Sequence, residues 1–230
     1  MSKSFVTATN ERLEDLLPWW YDNVRRFNPT IPITIADIGM SPRMREWAKQ
    51  KADTFLQYDE TVSTDGWFLK PSIILDTPYT DVCWVDLDCE VLKPCGDIFE
   101  YGCENKLALT KDLWKRRDPN WPEWATGVIV VKGKPPILKE WVKFSLERVD
   151  RGDQNALERV LNTPFYSYED VIEMPQDYQW LRMEFVAGID SPHKKIMHWS
   201  GPSGKLYIRK LPDYKYSLLT HGFEYGIIGA

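Results

Sequence analysis

Apolar and polar positions alternate along the first part of the chain in a pattern that predicts strands separated by helices. Apolar residues recur at helical spacing over residues 11–27, and Asn10 is placed to cap that helix. The β-favouring runs lie at residues 5–7, 31–38 and 55–56, and a second helix starts at Ser41. This alternation predicts an α/β fold with one mostly parallel central sheet and right-handed crossovers.

The second part of the chain continues with the same kinds of segment. Residues 66–76 read as a helix that is kinked or restarted near Pro71, because proline lacks an amide hydrogen. A chain of 230 residues with no Gly/Ser-rich or Pro-rich linker is expected to form a single domain over residues 1–230. The pattern predicts strands at 82–85, 107–110, 126–131 and 195–197, and helices at 137–149 and 155–161.

Charge and composition limit the classes of function. The net charge of -5 argues against a general nucleic-acid binder, which needs a basic surface to displace phosphate counterions. The N-terminal stretch shows no signal peptide and no apolar run is long enough to span a bilayer, so we expect a soluble, cytoplasmic protein. The four cysteines lack CxxC spacing, which favours reduced thiols over a zinc site.

Two acidic residues, Asp86 and Asp88, follow directly after the apolar strand at 82–85. Ligands of open α/β sheets bind at this carboxyl edge, because the loops that leave it line a crevice. With Leu87 turned back into the protein, the two carboxylates can converge on one hard cation and leave coordination positions for phosphate oxygens. The sequence therefore predicts a metal and diphosphate site, although two solvated turn acids would give the same pattern.

Three further positions have both a structural and a functional interpretation. Lys70 is either on a solvated helix face or a ligand contact, and Asp153 is an N-cap, a carboxylate beside a reactive sugar, or both. A lone histidine is more often structural than a ligand, but His198 ends a strand beside a glycine-containing loop. Gly201 and Lys205 in that loop can cradle and neutralise a diphosphate.

The segment from Leu113 to Trp124 is crowded with aromatic and cationic residues and has little tendency to form regular structure. Aromatic faces beside cationic donors suit an acceptor sugar or an anionic group. The alternative is a surface loop packed by its own tryptophans. The candidate acceptor-binding residues are Trp114, Arg116, Arg117, Trp121 and Trp124.

Four motifs, VTATN, WVDLDCEV, ATGVIVVKG with RGDQNAL, and MHWSGPSGK, stand in this order over roughly residues 4–209. Together they resemble the GT-A glycosyltransferases, most closely the compact retaining enzymes of the glycogenin and bacterial galactosyltransferase type (family 8-like). The short length is also similar to that of compact transferases of large algal viruses. The resemblance implies a sugar transfer from a nucleotide-diphosphate donor, UDP-linked, to a glycan or other hydroxyl acceptor, with retention.

The resemblance also implies roles for individual residues. A divalent cation, Mn²⁺ or Mg²⁺, would be held by Asp86, Asp88 and His198, and the Asp-Gln pair of the family is present as Asp153 and Gln154, the catalytic candidates. The candidate contacts to the nucleotide and donor are Thr7, Ala8, Thr9, Asn10, Asp37, Lys70, Asp86, Gly127, Gly201 and Lys205.

The chain departs from the family pattern at two places. Ala125, Thr126 and Gly127 stand where the family has Asn-Ser-Gly or Asn-Ala-Gly, so a side-chain amide that helps to hold the donor sugar is absent. The C-terminal His-x-x-Gly pattern continues with Lys205 and Leu206 in place of the usual Lys-Pro-Trp. The first of these departures bears on which donor sugar is used.

Two other functions remain open at the level of sequence. A strand that ends in Asp-Leu-Asp is also the nucleophile motif of haloacid dehalogenase-like phosphohydrolases, with Glu169 and Asp170 as the later acidic pair. That motif usually opens its domain, whereas here several strands and helices precede it. The second alternative is a catalytically inactive module that binds a sugar nucleotide.

Overall fold

The computed structural model describes residues 2–58 and 66–223, and its strands form two sheets. In the seven-stranded sheet the order is β3-β2-β1-β4-β7-β6-β8, and in the three-stranded sheet it is β5-β10-β9. The strands are β1 Lys3–Thr9, β2 Ile33–Asp37, β3 Thr54–Gln57, β4 Asp81–Val85, β5 Cys89–Val91, β6 Leu107–Lys111, β7 Trp124–Lys132, β8 Val171–Glu173, β9 Trp180–Leu181 and β10 Ile196–His198.

Eight α-helices connect and cover these strands within the described residues. No helix among residues 2–58 and 66–223 is long and apolar enough to cross a membrane. The helices are α1 Leu17–Phe27, α2 Pro42–Lys51, α3 Lys70–Asp76, α4 Pro136–Glu147, α5 Asp153–Leu161, α6 Arg182–Val186, α7 Gly201–Ile208 and α8 Pro212–Thr220.

The large sheet is mostly parallel, as the alternating pattern predicts. Strand β1 pairs in parallel with β2 and β4, and β2 with β3. Strand β7 runs antiparallel to both β4 and β6, and β6 is parallel to β8. The carboxyl ends of β1, β2 and β4 therefore meet at one edge, and β7 begins its course at the same edge.

The two faces of the sheet are buried by different helices. Trp19 and Trp20 of α1 are fully buried on one face. Trp141 of α4 and Leu157 of α5 are buried in the cluster on the other face. Large aromatic side chains bury much apolar surface, so several of the tryptophans serve the core rather than a ligand.

Several element boundaries differ from those in the sequence analysis. The first helix starts at Leu17 and not at residue 11, because Pro18 favours the first turn of a helix. Asn10 is therefore not the cap of this helix. Its backbone carbonyl accepts from the Leu13 amide in the turn before it. The restart near Pro71 is confirmed, since a 3₁₀ turn at Gly66–Leu69 leads into α3. The Trp-rich segment is partly regular, with a 3₁₀ turn at Leu113–Arg116.

The small sheet determines where the C-terminal histidine lies. Strand β10 pairs antiparallel with β5, and His198 stands opposite Cys89. The same residue pairs with Leu181 of β9. A residue near the C-terminus is thereby placed beside the loop that follows β4.

Helix α7 packs directly on the residue that precedes it. A Cβ atom at Gly204 would lie 1.8 Å from the carbonyl oxygen of Trp199, and the Trp199 ring stacks on Tyr207 with 4.3 Å between ring centroids. The backbone of α7 can therefore approach Trp199 because residue 204 has no side chain.

We predict that Gly204→Ala destabilises the protein by roughly 1–3 kcal/mol, because the added methyl forces α7 away from Trp199. The measurement is the free energy of unfolding in urea. Ser203→Ala, at an exposed position of the same helix, is the matched control and should leave stability within about 0.5 kcal/mol. Equal stability of the two variants would contradict this account of the packing.

Candidate active site

The loop after β4 is held in place by the backbone of two neighbouring strands. The Asp86 amide donates to the Gly127 carbonyl at 2.8 Å, and the Asp88 carbonyl accepts from the Trp199 amide at 2.9 Å. The indole of Trp84 donates to Asp86 Oδ1 at 2.7 Å. Both acidic residues are thus fixed at the carboxyl edge of the sheet.

His198 approaches both carboxylates from β10. Its Nε2 lies 3.3 Å from Asp88 Oδ1 and 3.9 Å from Asp86 Oδ2. On the other side of the ring, Nδ1 lies 3.2 Å from Gln179 Nε2, and Gln179 Oε1 accepts from the Val128 amide at 2.7 Å. Gln179 therefore fixes the orientation of the imidazole, and it was not recognised from the sequence.

These three side chains fit a divalent cation chemically. Ligand atoms of Asp88, Cys89 and His198 lie within 4.8 Å of one another. Burial raises the pKa of the Cys89 thiol well above its ordinary value, with Asp88 adding to the effect, so this thiol keeps its proton and is a poor ligand. Asp88 and His198 remain from this cluster, and Asp86 adds a second carboxylate with its Oδ2 3.9 Å from His198 Nε2. Two carboxylates and an imidazole form an oxygen-rich set that suits Mn²⁺ or Mg²⁺.

Lys70 is a buried ammonium group that joins three parts of the site. It is 3% exposed, and its Nζ lies 3.0 Å from Asp86 Oδ1, 2.9 Å from Asp153 Oδ2 and 2.9 Å from the Thr126 carbonyl oxygen. Burial alone would lower its pKa, but Asp153 and Asp86 outweigh this effect and raise it. The structure thus excludes a solvated helix face for Lys70.

The two acids of the motif have different electrostatic surroundings. Burial raises the pKa of Asp86 above its ordinary value, although the Lys70 charge opposes the effect. Burial acts in the same direction on Asp88, but His198 and Lys205 outweigh it and lower the pKa of that carboxyl. The Lys205 ammonium contacts Asp88 Oδ2. Protein cations therefore stabilise the ionised form of Asp88.

Asp153 and Gln154 are the first two residues of α5. Asp153 is buried, and its carbonyl oxygen accepts from the Trp141 indole at 2.8 Å. The N-cap position is Gly152, so the interpretation of Asp153 as an N-cap is wrong. Its carboxylate instead forms an ion pair with Lys70, and the same ammonium group also pairs with Asp86.

Asp112 links Gln154 to the Trp-rich segment and was missed in the sequence analysis. Its Oδ2 accepts from Gln154 Nε2 and from the Trp121 indole, each at 2.8 Å, and its Oδ1 accepts from the Trp114 amide at 2.9 Å. Asp112 directly follows β6, just as Asp86 directly follows β4. This position after a strand is the signal that could have identified it.

A cavity of about 170 Å³ connects these groups. It lies between the Trp-rich segment, the start of α5 and the end of β10. A small ligand in it would contact His198 and two of the candidate acceptor residues, Trp114 and Trp121. Its lining includes Trp114, Trp121, Gln154, Glu184, His198 and Ser200.

Two predicted ligand contacts have structural roles instead. The Asp37 carboxylate accepts from the amides of Gly39 and Met40 at 2.9 and 2.7 Å and pairs with Arg45, so its oxygens are engaged within the protein. Trp124 is buried as the first residue of β7, with Lys111 Nζ 4.1 Å from its ring centroid. These contacts correct the assignment of Asp37 to the donor and of Trp124 to the acceptor.

The remaining candidates are distributed around the same edge. Thr7 and Thr9 near the end of β1 are buried, whereas Ala8 and Asn10 are half-buried. Gly201 begins α7 in the left-handed region, with φ +79°.

The two arginines of the Trp-rich segment lie on different sides of it. Arg117 covers the Trp114 ring at 5.3 Å, and Arg116 lines a larger groove next to the cavity. Arg116 therefore does not line the small cavity that contains Trp114 and Trp121.

No protein-family model matches the chain, and no curated protein matches it in sequence. Solved structures do match. The galactosyltransferase LgtC, crystallised with donor and acceptor sugar analogs, has a TM-score of 0.65 at 13% identity, covering 95% of both chains. The glycosyltransferase GlyE of Streptococcus pneumoniae TIGR4 has a TM-score of 0.69 at 14% identity, covering 98% of this chain and 61% of its own. These similarities confirm the GT-A glycosyltransferase fold.

Gly127 is the position where the backbone of β7 meets the histidine ring. A Cβ atom at residue 127 would lie 2.5 Å from both Cε1 and Nδ1 of His198 and 3.0 Å from Gln179 Nε2. We predict that Gly127→Ala turns the ring away from Asp88 and weakens Mn²⁺ binding by about 10-fold or more, as changes around metal ligands commonly do. Titration of Mn²⁺ by calorimetry measures the effect.

A double-mutant cycle supplies the control for this prediction. If the methyl acts through the ring, Gly127→Ala should cause no further loss of Mn²⁺ affinity in a His198→Ala background. Additive losses in the double variant would contradict this explanation.

Proposed function

We propose that this protein is a metal-dependent glycosyltransferase that moves a sugar from a UDP-linked donor to a hydroxyl group of a glycan, with retention of configuration. The convergence of Asp86, Asp88 and His198 beside the Lys70–Asp153 pair, at the carboxyl edge of a GT-A sheet, carries this proposal. The likeness to solved glycosyltransferases supports the transferase class.

Asp86, Asp88 and His198 would hold Mn²⁺ or Mg²⁺. When bound, the cation offsets the negative charge that develops on the departing nucleoside diphosphate. Lys205, whose ammonium group contacts Asp88, would donate to a diphosphate oxygen. Gly201 allows the backbone of the same loop to approach those oxygens.

The donor would lie along the end of β1 and across β7. Residues 7–10 contact the nucleoside, and Gly127 leaves room for the histidine ring beside the donor sugar. Lys70 positions the site by holding Asp86 and Asp153 at a fixed separation. Since Ala125 provides no side-chain amide, the donor sugar depends more on Gln154 and Asp153 for its hydrogen bonds.

In the transfer step, the bond between the anomeric carbon and the leaving phosphate breaks first, and an acceptor hydroxyl oxygen then bonds to the anomeric carbon. With retention on one face of the sugar, the hydroxyl proton passes to an oxygen of that phosphate. Asp153 and Gln154 stabilise the cation-like sugar between the two events. The cavity walls formed by Trp114 and Trp121 limit the access of water.

The two alternative functions fit the structure less well. Glu169 and Asp170 belong to an exposed 3₁₀ turn, where Asp170 forms a capping box with Ser167, so they do not supply the second acidic pair of a phosphohydrolase. An inactive module has no need for an Asp153–Lys70 contact or for Gln154 at the cavity. The presence of both features therefore favours an active enzyme over an inactive binding module.

We predict that UDP and UDP-sugars raise the melting temperature of the protein in the presence of Mn²⁺ more than other nucleotides do, because binding to the native state stabilises it by mass action.

Asp88→Asn should keep the fold but lose more than about 100-fold in donor turnover, since an amide oxygen lacks the charge of a metal ligand. Asp190→Asn, which removes an equal charge at an exposed position, is the control. Wild-type turnover by folded Asp88→Asn would refute the metal site.

We predict that Trp114→Ala reduces transfer to the acceptor while the slow hydrolysis of the donor by water continues, because hydrolysis needs the metal site but no acceptor. Rates of both reactions are measured on the same preparation. Phe165→Ala, an exposed aromatic residue outside the cavities, is the matched control. A parallel fall of hydrolysis and transfer would assign Trp114 to the donor pocket instead.

A further inference from the structure

The small cavity at His198 and a larger groove share two lining residues. This groove has a volume of about 740 Å³, within the usual range for ligand sites. Asp112 and Glu184 line both spaces, so the two spaces adjoin at these side chains, and this junction is called the passage below. Beyond the passage, the groove is lined by Tyr101, Lys115, Arg116, Met174, Trp180 and Ile189.

The two acids at the passage differ in their hydrogen bonds. Asp112 accepts from Gln154, Trp121 and the Trp114 amide. Glu184 is 6% exposed, and no group within residues 2–58 and 66–223 donates to its carboxylate or forms an ion pair with it. The Glu184 oxygens are not among the fully enclosed polar atoms that lack a partner, so they reach the space that this residue lines and can accept hydrogen bonds from a ligand there.

The backbone around Glu184 is well anchored. The Glu184 carbonyl accepts from the Ile189 amide at 2.9 Å, and Arg182 Nε, two residues earlier, donates to the Ser200 carbonyl at 3.0 Å. Helix α6 is thus fixed to the loop that follows His198. The backbone that carries Glu184 is therefore tied to Ser200, which also lines the small cavity.

We propose that the acceptor is an oligosaccharide whose terminal sugar enters the small cavity and donates hydroxyl hydrogen bonds to Glu184, while the sugars behind it lie along the groove. This inference rests on the proposed transferase function and adds the acceptor class and a specificity-determining residue. Sugar hydroxyls supply the donors that Glu184 lacks, and they do so without requiring a counter-charge.

The lining of the groove suits a chain of sugars. Trp180 is half-buried, with its indole nitrogen donating to the Ile189 carbonyl at 3.3 Å, so its ring is held in position. Aromatic faces bind the apolar faces of sugar rings. Lys111, which also lines the groove, pairs with Glu123. Lys115 and Arg116 line it as well and can donate hydrogen bonds to ring hydroxyls.

Glu184→Ala and Glu184→Gln test the role of the carboxylate. The wild-type enzyme is first presented with an immobilised array of defined oligosaccharides, its best donor and Mn²⁺, and kinetics are then measured on the glycan that is modified. We expect Glu184→Ala to raise the KM for this glycan by about 10-fold or more, with donor hydrolysis within about twofold of wild type. Glu184→Gln should restore part of the affinity, because its amide oxygen still accepts.

Glu169→Gln, which changes an exposed carboxylate that lines neither the groove nor the small cavity, is the matched control and should leave the KM unchanged. Trp180→Ala provides a second measurement. It should abolish the preference for the oligosaccharide over the matching terminal monosaccharide glycoside, while transfer to the monosaccharide continues. Melting temperatures of all variants identify any loss of folding.

Three results would overturn the inference while leaving the proposed function in place. They are an unchanged KM in Glu184→Ala, an equal loss of hydrolysis and transfer in that variant, or a wild-type enzyme that hydrolyses its donor but modifies no glycan on the array. A wild-type protein that neither binds nor hydrolyses any nucleotide sugar would instead refute the proposed function, and the acceptor groove with it.

Discussion

The buried ammonium group of Lys70 is the interaction on which the candidate site depends. It touches the end of β4 through Asp86, the start of α5 through Asp153 and the strand β7 through the Thr126 carbonyl. Removing one partner from such a buried cluster leaves uncompensated charge and costs several kcal/mol in typical cases. The Lys70 ammonium group thereby fixes the separation between the proposed metal site and the proposed catalytic pair.

Local sequence was sufficient for the parts of the fold that depend on periodicity and strand ends. Asp86 and Asp88 were found because they follow an apolar strand, and His198 because it ends one. Gln179 carries no such signal, since it acts through contacts with Val128 and His198 far away in the chain. Glu184 carries none either, because only the fold brings it to the cavity. Tertiary packing, which a single sequence does not display, brings them to the site.

The tryptophans also show that a single sequence does not reveal tertiary packing. Trp114, Trp121 and Trp124 look alike in the sequence, yet two line a cavity and the third is buried in β7. The difference follows from strand pairing, because Trp124 of β7 is paired in register with Lys111 of β6. Composition could therefore indicate an aromatic site but could not say which rings face it.

The antiparallel pairing of β5 with β10 has a consequence for biosynthesis. His198 meets Asp88 only after more than a hundred further residues have been added, because the two belong to strands joined across that length of chain. Contacts of such high sequence separation form late, since loop closure must precede them. During synthesis on the ribosome, the growing chain therefore has the two acids long before it has the imidazole. The proposed cation site, which needs all three side chains, is thus a property of the completed fold and not of its N-terminal half.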